Sequence, residues 1–189
     1  LSMSKRIMAD VMYLGEDIGC DIYYTDTDSM HIKYEDVEKL ENGYYQKYNK
    51  ELCGKNMGQF HIDFDMGNCE NIYSDLFIGL GKKCYIDRLR GTDKNTGEER
   101  IDYHIRMKGC PEKCIWRVAH DDYNGDIIKI YQDLYEGKKV RFDLLKGYDE
   151  EEGGNYDKCA FQYHKNFIVS NRTEFHSNMI ILILMLIHN

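Results

Sequence analysis

Ile7, Val11, Leu14 and Ile18 recur at helical spacing, with Met8 on the flank. Ser2 or Ser4 can cap the start and Gly19 the end, so the pattern predicts a helix over about 4–18. From Ile22 to Tyr34 the chain is β-branched or aromatic in two halves divided by a short polar segment. That pattern predicts a hairpin with Asp26 and Asp28 near its tip. Val37, Leu40, Tyr44, Tyr48 and Leu52 predict a second helix over about 36–52, ending near Gly54. Tyr44, Tyr45 and Tyr48 are then helix-packing residues. Phe60, Ile62 and Phe64 alternate as in a strand, and two more strands are expected over about 76–90 and 100–108. The polar, glycine-bounded stretch Gly91–Glu98 lies between them as a hairpin loop. Pro111, the one proline, marks a domain boundary. A helix over about 122–136, with Trp116 in the core before it, short strands over 138–145 and 160–170, and a solvated loop at Glu150–Gly154 complete the pattern.

Composition narrows the classes. The 189 residues suit one large domain or two small ones, and 42% hydrophobic with 31% charged residues marks a globular chain. A net charge of −8 excludes a uniformly basic nucleic-acid binder but allows a locally basic one. Residues 80–118 carry ten Lys and Arg against six Asp and Glu, whereas residues 16–52 carry ten acids against four Lys. The seven cysteines are odd in number and irregularly spaced, so reduced thiols inside a cell are expected. The apolar run Met179–Ile187 is nine residues long, short of the roughly 20 that a membrane helix needs. It reads as a buried final strand or helix, or as the aberrant end of a frameshifted or decayed gene. Cys110, Cys114 and His120 lack the spacing of a zinc site and a fourth ligand.

Asp26-Thr27-Asp28-Ser29 is the strongest candidate for chemistry. Residues i and i+2 of a strand face one side, and two neighbouring carboxylates repel unless a cation joins them. Oxygen ligands alone favour Mg²⁺ or Mn²⁺. The bland reading is a polar turn, in which Asp and Thr are ordinary. A calcium-binding loop starting at Asp26 fails, because His31 and Val37 occupy the positions that need Gly and Glu. A haloacid-dehalogenase-type phosphatase, with Asp26 as nucleophile, also carries an Asp-x-Asp pair, here within Asp26-Thr27-Asp28-Ser29, but requires a parallel α/β sheet.

The string Tyr24-Thr25-Asp26-Thr27-Asp28-Ser29 also resembles the Tyr-x-Asp-Thr-Asp-Ser signature of family B DNA polymerases, and a helix precedes it as in that family. Lys83-Cys84-Tyr85, preceded by Lys82, resembles the family's downstream Lys-x-Tyr motif. The surrounding Leu80–Asp87 looks most like the protein-primed branch of viruses and self-synthesising transposons. The resemblance covers about residues 1–170. It implies an α+β fold: an antiparallel palm sheet with flanking helices over 1–108, then a small thumb over 109–189. It implies that Asp28, with Asp26 as companion, ligates two catalytic Mg²⁺ or Mn²⁺ ions. It also implies that Tyr24, Ser29, Lys82, Lys83 and Tyr85 face primer-template DNA. Deoxynucleoside triphosphates and a terminal priming protein are the other implied partners, with no membrane, at a nuclear, cytoplasmic or viral replication site. The family's earlier motifs, which supply another metal-binding Asp and the nucleotide-binding Lys, do not occur. The chain is therefore expected to be a C-terminal polymerase fragment, inactive alone. A non-catalytic DNA-binding remnant of a mobile element is the alternative.

Overall fold

The computed structural model describes residues 2–145, 162–166 and 174–187. Among these the chain is mixed α+β, with an open antiparallel sheet, a separate two-stranded ribbon and four helices. It divides into two compact units. One comprises Leu1–Phe77, Asp87–His104 and Glu174–Asn189; the other comprises Ile78–Ile86 and Ile105–Thr173. Both units draw on residues from either side of position 108, so the grouping is discontinuous in sequence.

In the first unit, α1 (Ser2–Ile18) buries Met8, Val11 and Leu14, the stripe that its spacing foretells. Gly19 ends it in the left-handed region at φ 69°, and its N–H and that of Cys20 return to the carbonyls of Glu16 and Gly15. That is a Schellman motif, which glycine enters without a Cβ penalty. The hairpin follows as β1 (Ile22–Asp26) and β2 (Ser29–Lys33). Next, α2 (Tyr34–Tyr48) stops short of the expected Leu52, because Asn49 adopts φ 52° and its N–H caps the Tyr45 carbonyl. Tyr44 is buried against Tyr48, while Tyr45 is exposed. Met30 and Ile32 of β2 join Val11, Leu14, Leu40 and Phe60 in one core between helices and sheet.

Three strands form a meander: β4 (Cys69–Gly81), β5 (Cys84–Asp93) and β6 (Glu99–Met107), preceded by the short β3 (Phe60–Ile62). The single strand expected over 76–90 is instead the β4–β5 hairpin, turning at Lys82–Lys83. Unbroken apolar residues on both sides hide that turn from pattern reading. The loop after β5 is shorter than expected. Asp93 closes it by accepting from the N–H groups of Asn95 and Thr96 and pairing with Arg100 at 2.7 Å.

In the second unit, α3 (Glu112–Asp122) follows Pro111 directly, so the proline sits at a helix N-cap. Sequence periodicity misses α3 and reads only α4 (Ile127–Tyr135), whose Asp126 cap accepts from the Lys129 N–H. Trp116 lies on the exposed side of α3, its Nε1 donating to Glu112, and is not a core residue. The ribbon of β7 (Arg141–Leu145) and β8 (Gln162–Asn166) is antiparallel. Residues 160–161 and 167–170 of the expected last strand, and the loop at 150–154, lie outside the described residues.

The apolar run near the end is a strand, β9 (Glu174–Leu186), with Ile181–Leu184 buried. It pairs antiparallel with β2 over Ser29–Lys33 and with β3 over Phe60–Ile62. The strand order is β1-β2-β9-β4-β5-β6. Continuous hydrophobicity therefore reflects a central strand covered on both faces. With strands about 4.8 Å apart, a flat sheet would hold β2 and β5 roughly 14 Å from one another. His31 of β2 nevertheless meets Asp87 of β5 at 3.0 Å through their side chains.

Candidate metal and nucleic-acid sites

The ribbon places Asp26 at the end of β1, paired with Ser29, and leaves Thr27 and Asp28 as a two-residue turn. The tip position expected from sequence is therefore observed. The same-face argument is not, because Asp28 lies in the turn rather than on extended strand. The main chain is fastened at both ends of the ribbon. The Asp21 N–H donates to Asp36 of α2 at 2.8 Å, and the Leu186 N–H donates to the Asp28 carbonyl at 2.8 Å. Asp26 Oδ1 accepts from the Thr27 N–H at 2.8 Å and from its hydroxyl at 3.2 Å. Both aspartates are half-buried, as is Tyr24; Ser29 is buried.

The donor set is two carboxylates, hard oxygen ligands of the kind that Mg²⁺ and Mn²⁺ select. It fits such an ion in chemistry but fills only part of an octahedral shell. Among the described residues, no group of three or more His, Cys, Asp or Glu is placed to hold a metal.

The second unit carries the basic candidates. Lys82 and Lys83 form the β4–β5 turn and are exposed, whereas Tyr85 is buried at 5% exposure. Lys83 adopts φ 56°, a left-handed conformation that glycine enters freely and a lysine rarely does. The Lys108 N–H donates to the Lys83 carbonyl at 2.9 Å, which holds the turn. A cavity of about 330 Å³ is lined by Lys83, Arg106, Lys108, Cys110, Glu112 and Ile115. Exposed Arg106 and Lys108 therefore extend the basic surface beyond the two lysines that the motif singles out. Tyr131, fully buried, donates from its hydroxyl to the Arg106 carbonyl at 3.3 Å and supports the same strand end. Burial pushes its phenol well above the ordinary range.

Sequence reasoning passes over one polar cluster in the first unit. His31 and Asp87 are fully buried, with His31 Nε2 at 3.0 Å from Asp87 Oδ2 and His104 Nδ1 at 3.9 Å from the same oxygen. The signal was an imidazole between Met30 and Ile32 and a carboxylate directly after the apolar run Cys84–Ile86. On the neighbouring surface Asp75 bridges Arg88 and Arg90, and Arg90 reaches Glu99 at 2.7 Å. Burial pushes the Asp75 carboxyl up, but hydrogen bonds and charge from the two guanidinium groups outweigh it and hold the group below its usual range.

Comparison with family models, with curated proteins and with solved structures finds no match to this chain.

Proposed function

We propose that this chain is the C-terminal palm and thumb part of a DNA-directed DNA polymerase of the family B, protein-primed type. The observation that carries the reading is the Asp26–Asp28 ribbon: an antiparallel hairpin, preceded by an amphipathic helix and docked on an open antiparallel sheet. In this reading Asp28 is the principal metal ligand and Asp26 its companion. Bound there, divalent cations would activate the primer hydroxyl and neutralise charge on the leaving oxygen. Tyr24 and Ser29 shape the ribbon near the primer end. Lys82 and Lys83 hold the phosphodiester backbone by charge, whereas Tyr85, which the resemblance has facing DNA, is buried and is left out of the contact.

Because two carboxylates are an incomplete donor set, the chain alone is expected to extend no primer. An extension assay on primed DNA with Mg²⁺ or Mn²⁺ checks this, and robust incorporation would overturn the fragment reading. In the full-length parent, Asp28→Asn should remove activity at unchanged duplex affinity, and Lys83→Ala should weaken primer binding. Unchanged primer binding by Lys83→Ala would remove the role assigned to that residue.

The same incomplete donor set favours a second reading, a non-catalytic duplex-binding remnant of a mobile element. It separates from the first if the parent, with its upstream segment, also fails to extend a primer. The antiparallel pairing on both sides of Asp28 counts against a dehalogenase-type phosphatase, which needs parallel strands there.

A further inference from the structure

We infer that His31 and Asp87 form a buried clasp that positions the aspartate ribbon, making them positioning residues for divalent-cation binding at Asp26 and Asp28. The inference rests on the metal-binding role proposed above and adds the part of the molecule that aims it.

Main-chain bonds join β2 to β9 along one line, Ser29–Lys33 against Ile181–Met185. A ladder of that kind fixes register and height, and contacts away from its line set the ribbon's tilt. On one side these are the Asp21–Asp36 bond to α2 and the core packing of Met30 and Ile32. His31 supplies the directional contact on the opposite face. It stands two residues beyond Ser29 on β2, on the opposite face from Met30 and Ile32, which enter the helix-side core. Its ring is held edge-on by Tyr24, with centroids 5.4 Å apart and planes at 80°, and is packed on Phe77 at 4.5 Å. From there Nε2 reaches Asp87 Oδ2 on β5, past the two intervening strands.

The carboxylate end is equally constrained. Asp87 has no exposure, and its Oδ1 has no hydrogen-bond partner among the described residues. A buried carboxylate is costly unless hydrogen-bonded, so the structure holds Oδ2 tightly on His31. Hydrogen bonds are directional where apolar contacts are not. Tyr24 belongs to the same ribbon as Asp26, so the clasp and the metal-ligand pair share one rigid element.

The test uses the 189-residue chain and Mn²⁺, with free ion followed by electron paramagnetic resonance. Wild type is expected to bind Mn²⁺, and Asp28→Asn to lose binding. If wild-type binding is absent or survives Asp28→Asn, the metal reading itself fails and the clasp with it. Given that dependence on Asp28, the decisive variant is the double His31→Phe/Asp87→Leu. It replaces both polar partners by apolar groups, a change that tends to be close to neutral for stability. It is expected to melt cooperatively near wild type while Mn²⁺ affinity falls about tenfold, as when supporting residues behind metal ligands are removed. His31→Gln, which retains an N–H donor, is expected to recover most of that loss. A folded double variant with wild-type Mn²⁺ affinity would refute the clasp. So would a double variant that fails to melt cooperatively, since the pair would then be a folding requirement.

Discussion

The Asp75 carboxylate shows how much one residue can organise. Its pKa is lowered in the folded chain, so it adds stability above the unfolded value near pH 4, and that stability is lost as pH falls through the folded value. Asp75→Asn should therefore lower stability by about 2 kcal/mol at pH 7, in line with hydrogen bonds to charged groups, and the gap to wild type should close below pH 4. Urea unfolding of both proteins at pH 7 and pH 3 measures it. Lys83 offers a cleaner separation. Lys83→Gly relieves the left-handed backbone and should raise the melting temperature, while removing a cation that the proposed DNA contact needs. At this scale the sequence was informative about Asp26, Asp28 and the lysine pair, because short motifs announce exposed chemistry. It was silent about His31, Asp87 and the Asp75 network, because those depend on strands distant in sequence coming together.

At the scale of elements, legibility followed local periodicity. The helix α1 and the β1–β2 hairpin match their expected spans closely, since each carries its own hydrophobic pattern; Gly19 ends the helix as expected, whereas Ser4 lies inside it and does not cap it. The turn at Lys82–Lys83 and the helix α3 did not show: the first is only two residues long between apolar strand ends, and the second has a short buried stripe of Cys114, Ile115, Val118 and Ala119. Asn49 should tolerate glycine, whereas Asn49→Val would force a β-branched side chain into the left-handed region and shorten α2, visible as lost helical circular dichroism and a lower melting temperature. The strand β9 is the most exacting element. Ile183 is 1% exposed opposite His31, and Ile183→Ala should cost about 2–5 kcal/mol by opening a cavity in a strand paired on both edges.

At the scale of the whole molecule, acidity and nucleic-acid binding have to be reconciled. With a net charge of −8, only the basic stretch can hold phosphate, so affinity for duplex should be modest and steeply salt-dependent for so acidic a chain. If Lys82, Lys83 and Lys108 each neutralise about one phosphate, log affinity against log salt should fall with a slope of about −3, and each Lys→Ala change should flatten it by about 0.9. Fluorescence anisotropy at several salt concentrations reads both. The α+β class implied by the resemblance holds in its coarse form, but the discontinuous grouping into two units was not legible, because it depends on β9 returning to β2. That return sets a kinetic consequence. His31 and Ile183 pair across roughly 150 residues of chain, so the sheet's middle cannot zip from local contacts. Refolding should then be slow, on the order of milliseconds to seconds, and until β9 arrives the inner edge of β2 stays open to any passing strand, including one from another copy. Crowded refolding should therefore yield aggregates where dilute refolding yields native protein.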